Sequence, residues 1–384
     1  MEKKLDFFNL SISEALKECL SLASLALDLS YASIIYENKE IARETVDISD
    51  FIDRLVETII IRYGIATKSF EDARNLMPTV RAAYMMDKIS DSAQKIAKMV
   101  LNEKKLLNEV KIALMRGKEV VGLAKVDKKS KLRNLTCEEA AMKLSVGLDV
   151  LAVKRNAEWI INPESDFRFK LNDVVVLRGT QEVLEFFGIF TKVQGELNER
   201  IIEMLKEIKD CSEMCLYLGY SALLYDSKGL ASGAMSYRRK LLNLKGELRI
   251  KLVEEFQGKN DKLVNTLEFV DVLDEISAAG EKLASSIRGG GRLHPILERV
   301  DDEAKEQFML IKVEERSIWT NKTVGEMLLD DRIGVKIIAI KRRGRWIFDL
   351  TDDTRINAGD LILLGGYKIG IKSLEEIGGE VREE

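Results

Sequence analysis

The residues best equipped for chemistry fall into a few short motifs. Lys154 and Arg155 stand at the turn between two apolar runs, and Lys341, Arg342, Arg343 and Arg345 stand at a matching turn later in the chain. An arginine presents a planar fork of donors that suits phosphate, so each turn can frame an anion pocket; the plainer role for such charges is to keep exposed strands from pairing edge to edge. Asp87 and Asp91 have the i, i+4 spacing that can bring two carboxylates to one metal, but two oxygens are too few for a hard cation, and a solvated helix face is the simpler reading. Cys211 and Cys215 share that spacing on an apolar face with Leu218 and read as core. Tyr31, Tyr36, Tyr220 and Tyr225 likewise read as core or helix contacts rather than a stacking platform. The single histidine, His294, lies in the linker-like stretch 289–295, GGGRLHP. Zinc chemistry of the histidine-rich kind, Ser/His/Asp hydrolysis and Cys/His proteolysis are therefore unsupported. With no nucleophile beside a base and no phosphate loop, a non-enzyme is expected.

Composition narrows the partners. Sixty Lys and Arg against 64 Asp and Glu give a formal charge of −4 over 384 residues, without the basic footprint of nucleic-acid binding. The apolar run at Ile59–Ile61 meets Arg62 at once, so no spanning segment is expected, and Asp6, Glu14, Lys17 and Glu18 break up any leader core. Four scattered cysteines make no disulfide framework, which points to a reducing cytoplasm. Only three prolines predict long helices.

The elements that must position these residues occur twice. Shifted by 187 positions, residues 125–179 align without a gap on 312–366, and 17 of the 55 pairs are identical, among them Lys154 and Arg155 with Lys341 and Arg342, Trp159 with Trp346, and Asp173 with Asp360. The stretch YASIIYENKEIA from Tyr31 likewise pairs with YSALLYDSKGLA from Tyr220, and DKISDSAQKIA from Asp87 with DEISAAGEKLA from Asp274. The order is A, B, A′, B′, with units at 1–107, 108–195, 196–290 and 291–384. Apolar spacing of three and four predicts helices over 12–36, 46–66 and 79–101, the last with Pro78 in its first turn, and over 201–225, 231–256 and 263–287. Each makes an antiparallel three-helix bundle. The B units read as small α+β domains: strands over 120–126, 150–153, 159–161 and 174–177, a helix over 137–144 opened by a Thr136/Glu139 capping box, and a closing helix over 181–187. B′ repeats this with strands over 308–313, 337–340, 346–348 and 361–364, a helix over 323–329 and a short end near 373–377.

These B motifs resemble the TrkA C-terminal domain (RCK_C): a Thr-led helix, a strand ending in Ala-Ile-Lys-Arg, a Gly turn and a Gly-Asp-x-Leu strand. B′ carries them at Thr323, Ala339, Ile340, Lys341, Arg342, Gly344, Gly359, Asp360 and Gly366, and B at Thr136, Ala152, Lys154, Arg155, Asp173 and Gly179. The A units resemble the PhoU-like helical domain. The fold class implied is multidomain, two PhoU-like antiparallel bundles alternating with two α+β TrkA-C domains, as in archaeal proteins that couple the two. The resemblance implies a cytoplasmic, ligand-sensing regulator of potassium or cation transport, homodimeric, acting in trans on a membrane channel or transporter. It implies a small-molecule or ion ligand, a cyclic dinucleotide or a cation, contacted by Lys154, Arg155, Ile160, Ile161, Asn162 and Pro163, with Lys341 and Arg342 in the second copy. Asp349 and Leu350 replace the Asn-Pro there. No Gly-x-Gly-x-x-Gly turn follows a strand, so no NAD or ATP site is expected. PhoU-like proteins also carry metals on acidic helices, which makes Asp87 and Asp91 the candidates in an alternative reading as a phosphate-response regulator or metal-binding scaffold.

Overall fold

The computed structural model describes residues 7, 9–117, 119–143, 147–189, 197–255, 261–287, 295–327, 329–368, 370, 371 and 374. His294, the glycines at 289–291 and the unit boundaries at Gly195 and Gly290 lie outside them. Three helices open the chain: α1 (Ile12–Ile35), α2 (Lys39–Ala66) and α3 (Phe70–Leu101). Ser11 and Glu14 form a capping box on α1. α2 starts seven residues before the expected Val46, because Asn38 Oδ1 accepts from the N–H groups of Glu40 (2.9 Å) and Ile41 (3.1 Å). α3 also starts early, at a Ser69 cap whose hydroxyl accepts from Asp72 N at 3.0 Å. Pro78 is thus inside α3 and not in its first turn, which corrects the sequence reading; a strong cap and a long buried face outweigh one missing N–H. With linkers of three residues, successive helices fold back antiparallel and pack on one another.

α1 is long and apolar enough to cross a bilayer by length and composition, which the expectation of no spanning segment overlooked, and 72% of its apolar window is buried inside the protein. Ala15, Leu16, Cys19, Ala26, Leu29 and Ala32 are essentially inaccessible, packed on α2 and α3. The second helical unit, α7 (Glu199–Leu224), α8 (Lys228–Glu255) and α9 (Asp261–Ala284), has the same order, and α3 packs on α9 across the two.

Each helical unit leads through a short helix into a sheet. α4 (Asn108–Met115) and α10 (Pro295–Glu303) are missing from the sequence reading; Pro295, taken there for linker, opens α10. β1 (Val120–Lys125), β2 (Leu148–Arg155), β3 (Glu158–Ile161) and β4 (Val174–Gly179) form an antiparallel sheet in the order β1-β4-β2-β3, and β5 (Glu306–Lys312), β6 (Val335–Arg342), β7 (Arg345–Ile347) and β8 (Leu361–Tyr367) form another in the order β5-β8-β6-β7. Both second strands carry a bulge at the same place, between Val150 and Ala152 and between Ile337 and Ala339. β4 is buried on both faces: Val176 meets the large helical core, while Val175 and Leu177 meet a separate small core with α6 (Gln181–Phe186). The capping box that opens α5 (Cys137–Lys143) is present, with Thr136 and Glu139 bonded both ways. Its counterpart is split into α11 (Val324–Met327) and α12 (Leu329–Ile333), in place of one helix, where the weak helix former Gly325 replaces Glu138.

α7 and α9 touch through glycines. A Cβ on Gly219 would lie 2.3 Å from the carbonyl oxygen of Gly280, and one on Gly280 2.5 Å from that of Cys215. Gly280→Ala is therefore expected to cost about 1–3 kcal/mol by forcing the two backbones apart. Gly246→Ala, in an open position on α8, should instead raise stability by up to about 1 kcal/mol. Urea unfolding of the two variants measures both effects.

Candidate functional site

The hairpin arginines are committed within their own sheets. Arg155 donates from Nε and Nη2 to the two carboxylate oxygens of buried Asp173, at 2.9 and 2.7 Å, and from Nη2 to Arg168 O at 2.8 Å. Arg342 repeats this on Asp360 and Arg355 O at 2.8, 2.7 and 2.5 Å. A bidentate pair uses the fork that a phosphate would need, so both arginines tie the hairpin to the turn before the last strand. Lys154 pairs with Glu40 on α2 and lies 5.9 Å from the Trp159 ring, while Lys341 lies 6.0 Å from the Trp346 ring.

Both hairpins lie against a helical unit. Ile161 and Trp159 pack on the large helical core, and Ile160 is half-buried opposite Val153. In the second copy Trp346 and Phe348 occupy notches at Gly229 and Gly233, where a Cβ would meet the rings at 2.3 and 2.5 Å. Asp349, in place of Asn162, accepts from Tyr237 Oη at 3.1 Å. The first strands are held similarly: Leu123 N donates to Tyr36 Oη at 3.0 Å, and Tyr225 Oη donates to Phe308 O at 2.8 Å. Pro163 is buried, and Asn162, at φ 53°, donates its N–H to Leu151 O and borders a central cavity.

Asp87 and Asp91 do lie together, with an ammonium between them: Lys88 Nζ is 2.6 Å from Asp91 and 3.4 Å from Asp87. Asp274, the counterpart of Asp87, is bracketed by Arg238 and Lys245. These residues do not fit a metal, and among the described residues no three His, Cys, Asp or Glu side chains converge as metal ligands. Cys215 is buried, with Sγ 3.1 Å from Ser277 O, and burial raises its thiol to about 12.

The central cavity, of about 90 Å³, lies where both helical units and both sheets meet. At its edge Arg178 of β4 is buried among three carboxylates: Asp28 of α1 at 2.7 Å, Asp149 of β2 at 3.5 Å, and Glu306 of β5. Its Nε donates to Tyr367 Oη of β8 at 3.0 Å, and its guanidinium lies 4.9 Å from the center of that ring. Lys336 of β6 pairs with Glu119 at 2.7 Å, and Lys209 of α7 with Glu213 at 2.9 Å. Burial pushes the Asp28 carboxyl up to about 7, because Arg178 is shared three ways and offsets only part of the desolvation. Burial acts the same way on Glu119, but Lys336 and Arg178 outweigh it and hold that carboxyl at about 2.

Of the residues at this cavity the sequence reading singled out only Asn162, as a ligand contact, and Tyr31 and Tyr220, as core or helix contacts. The signal was a departure in the repeat: Arg178 stands where B′ has Gly365, and Asp149 where it has Lys336. Removing Arg178 leaves buried acids uncompensated, so Arg178→Met is expected to cost about 3–5 kcal/mol in urea unfolding. Asp28 gives a pH signature. The folded chain keeps its proton between about pH 4 and 7, where the unfolded chain has lost it, so stability should fall as pH rises through that window and level off above it. Asp28→Asn should remove that slope; an unchanged slope would assign it to another group.

Residues 308–377 match the TrkA-C domain family, and residues 16–100 match the PhoU domain family. No curated protein matches the chain. Solved structures with similarity include one described as the crystal structure of the GsuK RCK domain, at 10% identity and a TM-score of 0.17, covering 68% of this chain and 63% of that one. Another is the GsuK channel bound to NAD, at 12% and 0.18, covering 70% and 56%, and a third is the GsuK channel, at 12% and 0.19, covering 77% and 65%. The chain thus spans less than two thirds of the length of each of those chains. It combines a PhoU domain in its first helical unit with a TrkA-C domain around its second sheet.

Proposed function

We propose that this chain is a regulatory protein of potassium or related cation transport, sensing a small ligand through its sheet domains and signalling through its helical units to a membrane channel or transporter. The observation that carries the proposal is the joining of a PhoU domain and a TrkA-C domain in one chain, with the first helical unit and both sheets joined by ion pairs at Arg178. A ligand that binds one arrangement of these units better than another would shift the balance between them, and only such differential affinity can transmit a signal. In this reading 108–195 is a second TrkA-C domain and 196–290 a second PhoU-like bundle, each beside its matched partner. The identical strand orders of the two sheets support that assignment. The chain would work at the cytoplasmic face of the membrane, as a homodimer, by binding rather than by catalysis.

A phosphate-response or metal-scaffold role has the PhoU match in its favour. Lys88 between Asp87 and Asp91 weighs against its metal-bound form.

Potassium-limited growth and rubidium uptake in native cells with the coding sequence deleted test the transport role. Altered uptake, restored by the wild-type chain and not by Arg178→Met made to an equal level, is expected. Unaltered uptake at every external potassium concentration would remove the reading.

A further inference from the structure

The central cavity holds two groups that the fold leaves unused. Tyr31 and Tyr220, 3% and 4% exposed, border it from α1 and α7, and neither hydroxyl has a hydrogen-bond partner among the described residues. Leaving a buried hydroxyl unsatisfied is destabilising, a penalty phenylalanine would avoid at either position. The two occupy matching places in the two helical units, in YASIIY and YSALLY, although the charged residues beside them differ between the copies. A polar occupant of the cavity would satisfy both.

The charge around the cavity selects its class. Five carboxylates border it, those of Asp28, Glu119, Asp149, Glu213 and Glu306. The cations facing them from inside the protein are Arg178, Lys209 and Lys336, while Lys305 at the rim is exposed to water. Among the described residues acids exceed enclosed cations by two, and by one even with Asp28 protonated, so an anion is disfavoured and a cation favoured. A divalent ion needs six or more converging oxygens with several carboxylates among them, and no three acidic side chains among the described residues converge that way. A space of about 90 Å³ is enough for an ion with part of its hydration shell, since one water needs about 10–15 Å³ by the same kind of measure.

We propose that the central cavity is a binding site for a monovalent cation, coordinated in part by the Tyr31 and Tyr220 hydroxyls, which balances the surplus carboxylate charge where the helical units and sheets meet. All four units line the cavity, so an ion held in it strengthens their mutual docking. This site meets the first hairpin only at its edge, at Asn162, and does not depend on the transport role.

The test is the thermal unfolding midpoint of the full chain in KCl, NaCl and choline chloride at one ionic strength, with inorganic phosphate added in a fourth arm. A saturable rise in K⁺ or Na⁺ over choline is expected. The Tyr31→Phe, Tyr220→Phe double variant removes only two unpartnered hydroxyls. It should fold with an unreduced midpoint in choline, and its apparent cation affinity should fall at least about tenfold. Equal midpoints in the three chlorides, an unchanged cation response in the double variant, or a rise with phosphate alone would overturn the proposal. The first of these would leave the transport role standing, because that role is read from uptake.

Discussion

A buried guanidinium is tolerated only where its charge is met, and Arg178 is met from three directions. Its partners come from a helix of the first helical unit, from its own sheet and from the second sheet, so the charge is balanced only when these bodies are docked together. Taking charges out of water costs several kcal/mol per ion, which makes such a cluster a poor source of stability but a strict judge of geometry. The hydrocarbon contacts of α1 and α7 supply the adhesion, and the ions select one arrangement of it. The second sheet has Gly365 at the matching position, where a Cβ would already press on Ile338 at 2.6 Å, so the two halves contribute unequal chemistry to one junction.

Around that junction each sheet is fastened to its own helical unit by repeated means. A tyrosine at the end of the first helix of each unit bonds to the first strand, through Tyr36 and Tyr225. The tryptophan hairpin then lies over the second helix, by an ion pair to Glu40 in one copy and by rings set into Gly229 and Gly233 in the other. The same backbone scheme thus accepts charge or shape as its lock. This explains why the hairpin basics, the most conspicuous residues in the sequence, serve the fold: Arg155 and Arg342 close turns that a free arginine would leave loose.

Much of this was legible in the residues. Helical spacing located all six long helices, the capping box at Thr136 was readable letter by letter, and the strands fell within three residues of their observed ends. The starts of α2 and α3 were missed because Asn38 and Ser69 cap from within polar stretches that carry no apolar period. Pro78 misled for the same reason. The junction was not legible, since its members lie as far apart as Asp28 and Tyr367 and each looks like an ordinary charge or ring on its own strand or helix. Its only marks were the exchanges of Arg178 for Gly365 and of Asp149 for Lys336 between the two aligned stretches.

The helical units and the sheets therefore form one coupled body whose docking is set by enclosed charge. Native-state hydrogen exchange on the wild type and Arg178→Met tests this most directly. Coupling through the junction predicts that α1, α7, β1, β4 and β5 lose protection together in the variant, as one cooperative unit. Loss confined to β4 and its immediate neighbours would contradict it.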